Sequence, residues 1–94
     1  MAEDLKRAEI IAGGLVQGVG FRYYVIRKAS ALGLKGYVKN LYSGQVQTVV
    51  EGDKAMIEEL YLQIKLGPSR SSVKSCIMQW QDFKNEFESF EVRF

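Results

Sequence analysis

Residues 13–22 read Gly-Gly-Leu-Val-Gln-Gly-Val-Gly-Phe-Arg and combine a glycine-rich turn with an arginine. Glycine allows a backbone to turn with positive φ, so several amide groups can point into one concavity. An apolar run precedes this segment and a helical pattern follows it, and a helix N-terminus favours a bound anion. Arg22 can add a planar fork of donors from the first helical turn. The segment is typical of a small phosphate site, although a tight turn with a solvated arginine would also fit it.

The apolar pattern around this segment predicts the elements that position it. We expect a first strand over 7–15, a helix over 21–32 that ends at Gly33, and a second strand over 34–42. In such a unit the two strands run in the same direction, so their C-terminal ends share one edge of the sheet. The glycine loop leaves the first strand at that edge, and Asn40 lies near the end of the second. We therefore expect Arg22 and Asn40 to face one pocket.

The remaining elements follow from turn residues and from alternating apolar positions. Ser43 and Gly44 predict a tight hairpin turn before a third strand, and Asp53 is a suitable N-cap for a second helix that Gly67 and Pro68 end. A fourth strand over 73–81 and a last strand with Phe90, Val92 and Phe94 complete the chain. The order βαββαβ with one extra strand predicts an α+β sandwich, with two helices on one face of an antiparallel sheet of four to five strands.

Composition limits the possible partners. Hydrophobic residues make up 47% of the 94 residues and charged residues 26%, which is ordinary for a soluble globular chain. We expect a single domain over 1–94, with residues 1–6 as a flexible tail. The net charge of +2 is too small to indicate nucleic acid or a membrane surface. No run is long and apolar enough to span a membrane, and the first residues lack the apolar centre of an export signal.

The residue types that are absent limit the chemistry. The chain has no histidine, which removes the commonest general base and the commonest transition-metal ligand. Its one cysteine, Cys76, can neither close an internal disulfide nor build a multi-thiolate zinc site, and it fits a reducing compartment. We expect no metal and no cofactor, and a location in the cytoplasm. Chemistry must therefore depend on arginine, asparagine, carboxylates, hydroxyls and backbone amides.

Two segments together closely resemble the acylphosphatase family. They are residues 14–22 and residues 36–46, Gly-Tyr-Val-Lys-Asn-Leu-Tyr-Ser-Gly-Gln-Val, the latter followed by Gly52. Both segments match in composition, in internal spacing and in separation, and the resemblance extends to the helix stop at 67–68 and to the ending at 90–94. It implies a ferredoxin-like sandwich that hydrolyses the carboxyl–phosphate bond of small acyl phosphates.

The resemblance also implies roles for particular residues. Arg22 would hold the substrate phosphate and Asn40 would position the attacking water. The phosphate-binding loop would comprise Leu15, Val16, Gln17, Gly18, Val19 and Gly20, together with Arg22. The implied partners are an acyl phosphate substrate and inorganic phosphate as product and inhibitor, and we expect a monomer. Ser43 stands where many relatives carry aspartate, at a turn position with little bearing on catalysis. Leu41 stands where some carry a hydroxyl residue, and this difference puts the support of Asn40, and hence the rate, in question.

Two alternatives belong to other functional classes. A non-catalytic anion-binding module of the same fold would keep the loop without turnover. An RNA recognition motif shares the βαββαβ order, and Lys35-Gly36-Tyr37 is similar to the start of its aromatic motif. The residues that follow do not continue that motif, which would also belong on the third strand rather than the second. The two tyrosines beside the motifs, Tyr23 and Tyr42, could line a pocket, although we expect them to be half-buried packing residues.

Overall fold

One five-stranded sheet carries two helices in a computed structural model that describes residues 4–94 of the chain. In chain order the elements are β1 (Leu5–Leu15), α1 (Phe21–Ala31), β2 (Lys35–Asn40), β3 (Val46–Asp53), α2 (Lys54–Leu66), β4 (Ser72–Gln81) and β5 (Phe90–Arg93). The strands lie side by side in the order β4-β1-β3-β2-β5. The α+β sandwich predicted from the sequence is confirmed. Its sheet is mixed rather than wholly antiparallel, because β5 pairs with β2 in parallel.

Successive side chains of each strand point to opposite faces of the sheet, so the sheet has a core face and an open face. On β1 the core face carries Ala8, Ile10 and Ala12, which are at most 1% exposed. Both helices bury apolar stripes in the same core cluster, namely Phe21, Tyr24, Val25 and Ala29 from α1 and Ile57, Leu60 and Ile64 from α2. Each of the fully buried valine, leucine, isoleucine and phenylalanine side chains among them contributes about 1.5–3 kcal/mol to stability. This core fixes the position of both helices on the sheet.

The ends of the helices follow their capping residues. Asp53 caps α2 as predicted, since its carboxylate accepts a hydrogen bond from the Ala55 amide at 2.9 Å. Gly67, with a φ of 67°, ends the same helix. At the start of α1 no side chain acts as a cap, and Gly20 occupies this position in a left-handed conformation. No side-chain acceptor therefore occupies the amides at the start of α1, next to the glycine loop.

Several boundaries differ from the prediction. Leu5 and Lys6 belong to β1 rather than to a tail, because they pair with Asp53 and Gly52 of β3; residues 1–3 of the expected tail lie outside the described residues. The second strand ends at Asn40 and not at position 42, because the chain leaves the sheet there to form the loop 41–45. The predicted turn residues Ser43 and Gly44 lie within that loop.

The segment 82–89 lies across the open face, a feature that the sequence analysis did not predict. Glu51 of β3 is 3% exposed and accepts hydrogen bonds from the amides of Lys84, at 2.7 Å, and Glu86, at 3.1 Å. The guanidinium of Arg7 pairs with the carboxylates of both Glu51 and Glu86. The ring of Phe87 meets Tyr37 edge to face, with centroids 5.9 Å apart. These contacts attach 82–89 to the sheet at the ends of the strands away from the glycine loop.

Candidate active site

The loop between β1 and α1, residues 16–20, forms one wall of the site. Gly18 and Gly20 adopt positive φ angles of 75° and 76°, a conformation that glycine reaches without strain. The amides of residues 18–20 donate no hydrogen bond to another residue between positions 4 and 94. The first amides of α1 also lack partners within the helix, as in every α-helix, and its first turn contains no acidic residue. The loop therefore presents free donors and the positive end of a helix dipole.

Arg22 stands in the first turn of α1, beside that loop, and is half-buried. Its guanidinium carbon lies 5.1 Å from the centre of the Phe94 ring. Among residues 4–94, no carboxylate forms an ion pair with it. The hydrogen-bond donors of Arg22 thus remain available for an anionic ligand, and the planar group matches the geometry of a phosphate or carboxylate.

Asn40 is the last residue of β2 and pairs with Val46 across the hairpin. The Oδ1 atom of its side chain is buried and accepts no hydrogen bond from any residue that the structure describes. A buried polar atom without a partner is uncommon in folded proteins and is a feature of sites that await a ligand or water. Asn40 therefore offers a hydrogen-bond acceptor to a ligand or water at the C-terminal end of its strand.

One cavity brings these features together. It has a volume of about 160 Å³ and is lined by Val16, Gly18, Gly20, Phe21, Arg22, Tyr23 and Asn40. Arg22 and Asn40, which the topology was expected to bring to one pocket, both line it. Since the free donors and the unpartnered acceptor meet in a space of this size, the arrangement can hold a small tetrahedral anion with a water beside it.

Three residues of the predicted loop do not line this cavity. Leu15 ends β1 with its side chain 55% exposed, and Val19 packs against the core cluster. The side chain of Gln17 is turned to the β2–β3 loop, where its amide donates to the carbonyls of Leu41, at 2.8 Å, and Gln45, at 2.9 Å. Their contribution to the site can come only from backbone groups or from support of neighbouring residues.

Two aromatic residues lie beside the site, and sequence reasoning missed one of them. Tyr23, for which pocket lining was the alternative to half-buried packing, lines the cavity and is 76% exposed, since its position on α1 faces away from the apolar stripe. The other is Phe94, which no motif indicated as a neighbour of Arg22. Tyr42, also expected to be half-buried, is fully exposed. The helical spacing of the apolar residues could have placed Tyr23 outside the core, but nothing local to position 94 indicated a contact with α1.

A larger hollow of about 380 Å³ lies at the other ends of β1 and β2. It is lined in part by Leu5, Lys35, Phe83 and Glu51, and the carboxylate of Glu51 is buried. That carboxylate already accepts two backbone hydrogen bonds and pairs with Arg7. Among the described residues that line this hollow, no buried side-chain polar atom lacks a hydrogen-bond partner, which distinguishes it from the smaller cavity.

Within positions 4–94 no three or more histidine, cysteine, aspartate or glutamate side chains cluster closely enough to hold a metal ion. Neither helix in this part of the chain is long and apolar enough to cross a membrane.

An α+β sandwich of ferredoxin-like topology, with a cavity lined by Arg22 and Asn40 at its first strand–helix turn, is the class that this fold and cavity define. The family model for acylphosphatase matches residues 8–92. The chain belongs to the acylphosphatase family, as the resemblance of its two segments predicted.

Individual relatives agree with this assignment. The chain is 54% identical over 70 residues to an acylphosphatase of Chlorobaculum tepidum, covering 74% of this chain and 76% of the relative. It is 43% identical to the acylphosphatase of Moorella thermoacetica, with 96% of each chain covered. The crystal structure of acylphosphatase from Bacillus subtilis matches with a TM-score of 0.90 at 31% identity, covering 96% of this chain and 99% of that one. All three relatives are named acylphosphatase, and an acylphosphatase is a hydrolase that acts on acid anhydrides.

Proposed function

We propose that this chain hydrolyses the carboxyl–phosphate bond of small acyl phosphates to a carboxylate and inorganic phosphate. The observation that carries the proposal is the buried, unpartnered Oδ1 of Asn40 in the same cavity as Arg22 and the glycine loop. An unpartnered acceptor that shares a cavity with free donors suits a water held next to a bound phosphate. Membership of the acylphosphatase family supports the same reaction.

In this proposal the phosphate binds to the amides of the loop from Leu15 to Gly20 and to the guanidinium of Arg22. Charge that grows on the phosphate oxygens in the transition state meets donors that are already oriented. Loss of one such donor typically costs about 2.7–4 kcal/mol of transition-state stabilisation. Arg22 has no carboxylate partner among residues 4–94 from which the ligand would have to displace it.

Asn40 positions the attacking water. Its Oδ1 accepts a hydrogen bond from that water, whose oxygen then attacks the phosphorus. The bond from phosphorus to the bridging oxygen breaks, and its electron pair leaves on the carboxylate. An amide cannot take up a proton near neutral pH, so the proton of the water passes to a phosphate oxygen of the substrate. The substrate is already an activated anhydride and needs no protein nucleophile.

The same reasoning extends to the setting of the reaction. We propose turnover without a metal ion, because Arg22 and the backbone donors supply the positive charge that the transition state needs. The lone Cys76 fits a reducing compartment, and we place the protein in the cytoplasm. We propose that it acts as a single-domain monomer, in which Arg22, Asn40 and the glycine loop of one chain surround the cavity.

Hydrolysis of benzoyl phosphate, followed with and without a chelator, tests the proposal. We expect turnover that the chelator leaves unchanged, competitive inhibition by inorganic phosphate, and a fall in kcat of about 10²–10³-fold in Asn40→Ala. Phosphate affinity should remain nearly unchanged in this variant, because the loop and Arg22 are intact. Gln79→Ala, which removes an exposed amide of β4, serves as the control.

Two outcomes would contradict parts of the proposal. An unchanged kcat in Asn40→Ala would remove this residue from the mechanism. Phosphate binding by a wild-type protein without any hydrolysis would contradict the reaction itself, and it would favour the alternative, a non-catalytic anion-binding module of the same fold.

A further inference from the structure

We propose that Gln17 is a positioning residue, whose side-chain amide holds the loop 41–45 against the glycine loop and thereby sets the distance between Asn40 and the bound phosphate. The inference rests on the proposed function for its kinetic consequences. Its structural basis is a pair of hydrogen bonds that connect the two motifs directly. Gln17 lies 24 and 28 residues before the two residues whose carbonyls accept them.

Both protons of the Gln17 amide are used in this connection. Nε2 donates to the carbonyl oxygen of Leu41 at 2.8 Å and to that of Gln45 at 2.9 Å. A primary amide has two N–H donors, so none is left for a ligand. Gln17 also lies outside the lining of the cavity. Its side chain therefore acts on the site through other residues and not by touching a substrate.

The two acceptors are the carbonyls that close the β2–β3 loop. The Gly44 amide donates to the Leu41 carbonyl at 3.0 Å, and the Leu41 amide donates to the Gln45 carbonyl at 2.9 Å. Leu41 directly follows Asn40, and Gln45 directly precedes Val46, the residue paired with Asn40. By binding both carbonyls, Gln17 holds the loop at the two points where it leaves the strands.

The hydrogen bonds from Gln17 are important because the side chains near Asn40 do little to hold it in place. The Oδ1 atom of Asn40 has no partner among the described residues, and Leu41 has only an apolar side chain. Ser43 interacts within the loop, where its Oγ accepts from the Gln45 amide at 3.3 Å. The amide of Gln17 is thus the group that connects this loop to the phosphate-binding loop by side-chain hydrogen bonds.

The chemistry requires a long side chain with two donors. Methionine has a similar length and shape but no N–H group, so Gln17→Met removes the hydrogen bonds and keeps the volume. Glutamate would turn a carboxylate towards two carbonyl oxygens, and asparagine is one methylene shorter. We expect the fold to tolerate Gln17→Met, since the side chain is only half-buried at the surface of the sandwich.

The main experiment is a double-mutant cycle between Gln17→Met and Asn40→Ala, with Gln79→Met as the control for loss of an exposed amide. For Gln17→Met alone we expect kcat for benzoyl phosphate to fall about 10- to 100-fold, as a small misplacement of reacting groups does. The inhibition constant of inorganic phosphate should change by less than about threefold, because the loop amides and Arg22 remain. In the Asn40→Ala background, Gln17→Met should lower kcat no further.

Three results would overturn the inference. Gln17→Met could leave kcat unchanged, it could lower kcat by the same factor with and without Asn40, or it could raise the phosphate inhibition constant by as much as it lowers kcat. The second result would mean that Gln17 acts independently of Asn40, and the third that it supports the phosphate-binding loop alone. Gln17→Asn provides a second variant if Gln17→Met does not fold, with the same expectations.

An NMR readout separates this inference from the proposed reaction. In the wild-type protein the side-chain amide protons of Gln17 should exchange slowly with water, and Gln17→Met should shift the side-chain amide signals of Asn40. Fast exchange or unshifted Asn40 signals would contradict the positioning role even in an active enzyme. Slow exchange and shifted signals in a protein without turnover would support the connection, while the proposed function alone would fail.

Discussion

The guanidinium of Arg22 stacks on the ring of Phe94, with 5.1 Å between its central carbon and the ring centre. The ring itself is 94% exposed and contributes nothing to the core. Phe94 directly follows β5, which pairs in parallel with β2, the strand that ends at Asn40. The paired strands β2 and β5 therefore position both the side-chain amide of Asn40 and the Phe94 ring that restrains Arg22. A cation–π contact at such an exposed site is worth about 0.5–1 kcal/mol.

Phe94→Ala should therefore weaken the binding of inorganic phosphate by about two- to fivefold, the equivalent of one exposed cation–π contact. The loss arises because the free guanidinium samples more orientations, which must be restricted when the anion binds. Competitive inhibition constants measure the effect. Tyr42→Ala removes another fully exposed aromatic side chain and should leave phosphate binding unchanged. Equal inhibition constants for Phe94→Ala and the wild type would mean that the ring does not restrain Arg22.

Arg22→Lys keeps the positive charge and removes the planar fork. We expect kcat/KM for benzoyl phosphate to fall by about 10²–10³-fold, because a point ammonium cannot reproduce two parallel hydrogen bonds to the phosphate. Arg70→Lys, at an exposed position after α2, is the matched control and should behave as the wild type. Activity near that of the wild type in Arg22→Lys would show that the loop amides suffice to hold the phosphate.

Glu51→Ala should destabilise the fold without affecting the site. Its carboxylate accepts hydrogen bonds from the amides of Lys84 and Glu86. It also pairs with the guanidinium of Arg7, a residue that is 9% exposed. Removing one partner of a buried ion pair costs up to about 3–5 kcal/mol when the other charge is left unpaired. The loss here should be smaller than that, because Arg7 keeps the carboxylate of Glu86. Urea unfolding measures this loss, and limited proteolysis should cleave the segment 82–89 faster. Glu88→Ala, in the same segment but exposed, is the control. Stability equal to that of the control would contradict a clamping role for Glu51.

The parts of this fold that could be predicted depend on short-range patterns. The helical stripe of α1, the Asp53 cap and the stop at Gly67 are each determined within a few residues, and the structure contains all three. The meeting of Arg22 and Asn40 could also be predicted, although they are far apart in sequence. It follows from the rule that the two strands of a βαβ unit end at the same edge of the sheet.

The parts that could not be predicted depend on long-range contacts of single side chains. Nothing local indicates that Glu51 accepts hydrogen bonds from the amides of residues 84 and 86. The segment 82–89 has no apolar periodicity, and these residues lie more than 30 positions from Glu51. The direction of the Gln17 side chain depends on carbonyls that only the folded hairpin brings near. For the same reason the start of β1 was placed too late, because Leu5 and Lys6 are held by cross-strand pairing rather than by an apolar pattern.

Two glycines with positive φ should respond very differently to alanine. At Gly36, with a φ of 147°, an added Cβ would overlap the carbonyl oxygen of Val49 on β3. At Gly18, with a φ of 75°, an added Cβ would meet no atom within 4 Å. Gly18→Ala should therefore lower the free energy of unfolding only by the left-handed strain of about 1–2 kcal/mol. Gly36→Ala should cost clearly more, because β2 and β3 must move apart in the middle of the sheet. Urea unfolding of both variants measures the difference, and equal midpoints would mean that the two strands have room for a side chain between them.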